Sequence, residues 1–124
     1  MLKPNFNYDE ASDTLYVSFI DGETATGIEL TDNILLRLDT KDMRIIGLTL
    51  FDYSILIQQT NMGPRSFPVT GLTRLPTDLR EQVLEILLQP PLSDLLAIAA
   101  YTPSIGEAIT IICVRSLSAV MSAA

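Results

Sequence analysis

Carboxylates crowd the first half of this chain. Asp9, Glu10 and Asp13 fall in one short polar stretch, Asp21 and Glu23 in a second, Asp32 in a third, and Asp39 and Asp42 in a fourth; Asp52 follows an apolar run. Carboxylates that converge can hold Mg²⁺ or Ca²⁺, which prefer oxygen ligands, or serve as acid and base once their pKa values are pushed apart. If the segments between these stretches are strands running up and down, alternate turns share an end. Asp9, Asp13, Asp32 and Asp52 then become candidate metal ligands at one end, with Asp21, Glu23, Asp39 and Asp42 at the other. The same residue types are good turn formers, however, and their spacing matches no calcium or phosphate loop. The turn role is the expected one, and a divalent-metal-assisted hydrolase using the acidic end is the alternative.

Two further groups could do chemistry. Tyr8 and Tyr16 could flank a pocket with Asp13 as a hydrogen-bond partner, although strand tyrosines more often sit half-buried with the hydroxyl at the rim. Cys113 lies in an apolar run with Arg115 the only nearby cation, a setting that suits an inert small hydrophobe better than a thiolate. With no histidine anywhere, Ser-His and Cys-His catalysis and His-based zinc sites are excluded. Glycines occur singly and form no phosphate-cradling loop. The residues thus name no catalytic group and no cofactor.

Charge narrows the partners. The net charge is −7; residues 1–52 hold ten acids and four bases, and the rest five acids and four bases. The Lys and Arg residues never cluster, so a phosphate backbone is repelled and nucleic-acid binding is not expected. A single cysteine and the lack of an apolar leader or a long uncharged span fit a soluble cytoplasmic protein with no membrane role. A hydrophobic content of 48% exceeds what one small core needs, which points to a homo-oligomer or a protein partner.

The elements that must position these residues are short strands. Asn5–Tyr8, Thr14–Ile20, Thr24–Leu30, Ile34–Leu38 and Arg44–Phe51 alternate in polarity and are rich in β-branched residues. Leu15, Val17, Phe19, Ile28, Leu30, Ile34, Leu36, Leu38, Ile46, Leu48 and Leu50 form the expected core face. Leu35, Ile45 and Phe51 face outward and, with Ile55 and Ile57, are the interface candidates. Ser54–Ile57 extends the fifth strand or starts a short helix. Residues 59–76, with Gly63, Pro64, Pro68 and Gly71, read as a linker or surface loop.

Residues 77–89 carry the one clear helical pattern. Thr77 is the expected N-cap, Pro90-Pro91 the stop, and Leu79, Val83, Ile86 and Leu87 the apolar stripe that should pack on the sheet. Leu92–Tyr101 is compatible with helix or strand, and Ile109–Val114 favours strand. Thr102-Pro103-Ser104-Ile105-Gly106 between them turns the chain into a hairpin, joining or capping the sheet, with apolar residues on both faces. The tail, 117–124, should fray. The expectation is an α+β domain: an antiparallel meander of about five strands over 1–58, with a helix and hairpin over 77–116 completing it.

Tyr8-Asp9, Asp13, Leu15-Tyr16-Val17, Gly27-Ile28-Glu29-Leu30, Ile34-Leu35-Leu36-Arg37-Leu38-Asp39 and Ile45-Ile46-Gly47-Leu48-Thr49-Leu50 together carry a resemblance. Over about residues 5–58 the chain resembles a family of small bacterial proteins known as domain of unknown function 2283. The resemblance implies a small β-rich domain, no established activity and no catalytic residues to carry over. By analogy with proteins encoded beside toxin-like genes, it also suggests an antitoxin-like binder of a basic protein. The C-terminal half lies outside it. The residues themselves favour a non-catalytic interaction or assembly module.

Overall fold

Gly47-Leu48-Thr49-Leu50 is buried throughout, and it lies on the central strand of a sheet. The computed structural model describes residues 4–20 and 24–115; the expected turn at Asp21-Gly22-Glu23 and the expected frayed tail lie outside them. Five antiparallel strands, β1 (Asn5–Asp9), β2 (Thr14–Ser18), β3 (Thr26–Thr31), β4 (Ile34–Asp39) and β5 (Arg44–Phe51), form the sheet predicted from the alternation. Their spatial order is β1-β2-β5-β4-β3. The β1–β2 hairpin therefore docks on β5 rather than on β3. The most apolar strands take the middle, and the polar strand β3, with Thr26, Gly27 and Glu29, takes an edge, where fewer side chains are buried.

Directly opposed residues share a face, so the register defines two layers. Phe6, Val17, Leu48, Leu36 and Ile28 form one row across all five strands. Their core members are almost fully buried, as are Leu15, Leu30, Ile34, Leu38, Ile46 and Leu50. Asn7, Tyr16, Thr49, Leu35 and Glu29 form the matching row on the other face. The expected core face is thus the observed one. Ile45 departs from expectation: the β4–β5 register slips between Arg37 and Leu38, which sets Ile45 opposite Leu38, and it is half-buried rather than outward.

The chain divides into two compact units, Met1–Ile55 and Leu56–Ala124. A short helix, α1 (Tyr53–Leu56), follows β5, which settles the choice between strand extension and helix. In the second unit the stretch read as linker or loop carries β6 (Gln59–Thr60) paired with β7 (Gly63–Pro64), then β8 (Phe67–Pro68) and a 3-10 turn, Thr70–Arg74. The predicted helix is α2 (Thr77–Leu87). Its N-cap is Pro76, not Thr77, and no side chain caps it; a proline just ahead of the first turn already presets the backbone there. Val83 and Leu87 are its buried residues.

Leu92–Tyr101 turns out to be both helix and strand: α3 (Leu92–Leu95) passes directly into β9 (Leu96–Ser104). The hairpin partner is β10 (Glu107–Val114). This hairpin does not join the five-stranded sheet; it forms its own, in the order β8-β10-β9. Ile111 and Ile112 oppose Pro68 and Phe67, so residues read as loop supply the third strand that a bare hairpin needs.

Candidate functional site

The antiparallel alternation brings the β1–β2 turn, the β3–β4 turn and the end of β5 to one end of the sheet, as the acid pattern requires. Asp13 is the hub. It takes a left-handed backbone, φ 51°, which Asp tolerates better than most side chains. Its amide donates to the Glu10 carbonyl at 3.3 Å and closes the turn. Its own carbonyl accepts the Tyr53 amide at 2.9 Å, tying the first turn to α1.

The Asp13 carboxylate is fully engaged. Oδ1 accepts the Tyr8 hydroxyl at 2.6 Å, and Oδ2 accepts the Ser54 hydroxyl at 2.6 Å. The Ser54 amide donates to both oxygens, at 3.2 and 3.3 Å. Hydrogen bonds to the ionised form favour it, so the Ser54 hydroxyl first and the Tyr8 hydroxyl second hold the carboxyl below the usual carboxylate range. The same bond, seen from the phenol, pushes Tyr8 up to about 12. A proton relay at neutral pH needs a group near neutrality. Tyr8 is moved away from it. The phenol ring also packs against Tyr53, with centroids 6.0 Å apart.

Asp9 and Asp52 are also bonded to the frame. Asp9 Oδ2 accepts the Ser12 hydroxyl at 2.6 Å. Asp52, also left-handed at φ 55°, accepts Asn33 Nδ2 at 2.8 Å, while the Asn33 carbonyl takes the Phe51 amide at 2.8 Å. Asp32 lines a shallow pocket of about 350 Å³ on the outer side of the β3 edge, with Glu29, Leu35 and Phe51. Among the described residues no group of three or more His, Cys, Asp or Glu is placed to hold a metal ion.

Tyr8 and Tyr16 do not flank one pocket. Tyr8 opposes Leu15 and Tyr16 opposes Asn7; opposed residues share a face and neighbours along a strand alternate, so the two tyrosines point to opposite faces. Of the partners suggested for that pair, only Tyr8 and Asp13 meet. Ser54 and Asn33 are the residues that sequence reasoning missed. Nothing local signals them, since Ser54 lies 41 residues from Asp13. At the opposite end, Arg44 donates to Asp39 Oδ2 at 2.9 Å through Nη2 and at 3.2 Å through Nε, and that guanidinium holds Asp39 below its ordinary range.

The interface candidates are dispersed. Leu35 and Phe51 share the shallow pocket on the outer face, Phe51 and Ile55 are exposed, and Ile57 is half-buried. Further exposed apolar side chains, Tyr101, Ile105 and Ile109, lie on the β9–β10 hairpin, where every residue from Ala99 to Ile109 is exposed. Cys113 opposes Ala97 near the base of that hairpin, and burial pushes its thiol up, away from nucleophilic use.

The first unit is therefore a small antiparallel sheet whose acidic end is tied together by hydrogen bonds of Asp13 with Tyr8 and Ser54 and of Asp52 with Asn33. Residues 5–54 match the model of the family described as protein of unknown function (DUF2283). The matched stretch ends on Ser54, so it contains the whole Asp13 node and none of the hairpin. No curated protein matches the chain, and no solved structure does. Among the described residues no helix is long and apolar enough to cross a membrane.

Proposed function

We propose that this chain is a non-catalytic interaction module that assembles with copies of itself. One observation carries the reading: the outer half of the β9–β10 hairpin is exposed and holds large apolar side chains in water. Tyr101 is 55% exposed and Ile109 36%, with Ala99, Ala100 and Ala108 beside them. Monomers leave single apolar side chains in water without consequence; an exposed strand edge that carries no charge is the kind of surface that association buries. Residues 95–106 contain no charge at all in a chain of net −7. Two copies thus repel each other least at this hairpin.

The acidic end supports the non-catalytic part of the reading. Asp13 uses both oxygens, and Asp52 and Asp9 one each, on Tyr8, Ser54, Asn33 and Ser12, bonds of the kind that fix turns. A reducing aqueous compartment suits a chain with one cysteine. Light scattering of the full chain across a concentration series tests the proposal. The mass should rise above the 13.6 kDa of one copy toward a fixed multiple. A mass that stays at one copy into the high micromolar range would overturn it.

A further inference from the structure

Strand β9 has β10 on one side and, among the described residues, no strand on the other. The backbone groups that face this open edge can be identified. The Arg115 amide donates to the Leu95 carbonyl at 2.9 Å, which makes that pair a hydrogen-bonded one. Antiparallel pairs alternate between hydrogen-bonded and non-hydrogen-bonded. Following the register, Cys113↔Ala97, Ile111↔Ala99 and Ile109↔Tyr101 are the pairs that exchange bonds with β10. The N–H and C=O groups of Ile98 and Ala100, between them, point outward to the open edge.

We infer that this edge pairs with the same edge of a second copy, antiparallel, about a two-fold axis at Ala99. The inference rests on the self-assembly reading above and gives it a geometry. A two-fold axis perpendicular to a continuous sheet sets one residue opposite its own copy. Centring it on Ala99 sets Ile98 opposite Ala100 of the second copy, so the outward-facing groups of each strand meet and can exchange backbone bonds. It also sets Tyr101 opposite Ala97 and Ile98 opposite Ala100, a large side chain against a small one each time, so neither face is overfilled. No charge falls within Leu95–Gly106, so no edge lysine opposes such pairing, and Pro103, the one proline in β9, lies beyond the Ala97–Tyr101 segment that pairs. The two three-stranded sheets would become one, with Ala99 against Ala99 at its centre as a non-hydrogen-bonded, close pair.

Ala99 is exposed, so substitutions there leave the core of one copy untouched. In a Cys113→Ala background, Ala99→Cys should form a disulfide-linked dimer on mild oxidation, because closely opposed Cα atoms in such a pair lie within disulfide range. Ala97→Cys, which faces Tyr101 instead of itself, should not. Ala99→Lys and Ala99→Glu each place like charges face to face and should weaken self-association by about tenfold or more. Mixing the two variants should restore a dimer containing one of each. If the wild-type chain is a monomer, the self-assembly reading and this geometry both fall. If it is an oligomer that Ala99→Lys leaves intact and Ala99→Cys does not cross-link, only the geometry falls.

Discussion

The hydroxyl of Ser54 donates to Oδ2 of Asp13 at 2.6 Å, closing a span of 41 residues at the end of the sheet where β5 gives way to α1. With Tyr8 on the other oxygen, the carboxylate joins the first strand, the first turn and the first helix of the unit. Both of its oxygens accept hydrogen bonds from the frame of the unit.

Its pH signature follows from the two shifts. Asp13 is lowered in the folded state, so its contribution is present above the unfolded value and is lost as pH falls through the folded one. Tyr8 is raised from 10.0 to about 12, so its contribution is present below pH 10 and is lost as pH rises toward 12. Both groups are exposed, and solvent screening keeps the effect small. Ultraviolet titration should show one of the four tyrosines ionising late, near pH 12. Tyr8→Phe should remove that step, and Asp13→Asn should move it to lower pH. A late step that survives Tyr8→Phe would assign it to another phenol.

Gly47 and Gly27 make a matched pair for a packing test. A Cβ on Gly47 would meet the Val17 carbonyl oxygen at 2.8 Å and Arg37 Nη1 at 3.2 Å. The first of these is backbone in the adjacent strand and cannot turn aside. Gly47→Ala should cost about 1–3 kcal/mol in urea unfolding, the usual price of overpacking. A Cβ on Gly27 meets only the Leu35 side chain, nearest at 3.2 Å, and a leucine methyl can rotate away. Gly27→Ala should stay within about 0.5 kcal/mol of the wild type.

Period-two alternation made the first unit legible. Ile34, Leu36 and Leu38 against Leu35 and Arg37 predict a face, and the structure honours it because a strand has only two sides. Strand order was not legible, since alternation says which side a residue faces but not which strand lies beside it. Ile45 was misassigned for a related reason: a bulge shifts the count by one, and nothing in Arg44-Ile45-Ile46 announces it. The second unit was harder because its third strand, Phe67-Pro68, is only two residues long and looks like loop. Asp9 and Asp13 were visible as a turn. The use of the Asp13 oxygens depended on Ser54, and no spacing rule reaches that far.

Met43 offers a gain in stability. It holds φ 54° in the turn between β4 and β5, a left-handed conformation that costs a side chain about 1–2 kcal/mol. Met43→Gly removes that strain and returns part of it as unfolded-chain entropy. A net gain of about 0.5–1 kcal/mol is expected, read as a higher urea midpoint at unchanged m. Asp13, at φ 51°, is the contrast. There the same change should destabilise, because the strain relieved is outweighed by the bonds to Tyr8 and Ser54 that disappear.

Arg80 anchors the start of α2. Its Nε donates to the Leu72 carbonyl at 3.0 Å and its Nη2 to the Leu75 carbonyl at 3.1 Å, so one planar fork holds both ends of the step from the 3-10 turn into the helix. Bonds from a charged donor are worth about 1.5–3 kcal/mol, and Arg80→Ala should lose a comparable amount. Arg80→Lys should recover only part of it, since a single ammonium cannot reproduce the spacing of the guanidinium fork. Arg80 and Gly47 belong to different units and share no named partner. The double variant Gly47→Ala, Arg80→Ala should therefore lose the sum of the two single effects within about 0.5 kcal/mol. A larger deviation in urea unfolding would mean that the two units are energetically coupled at these sites.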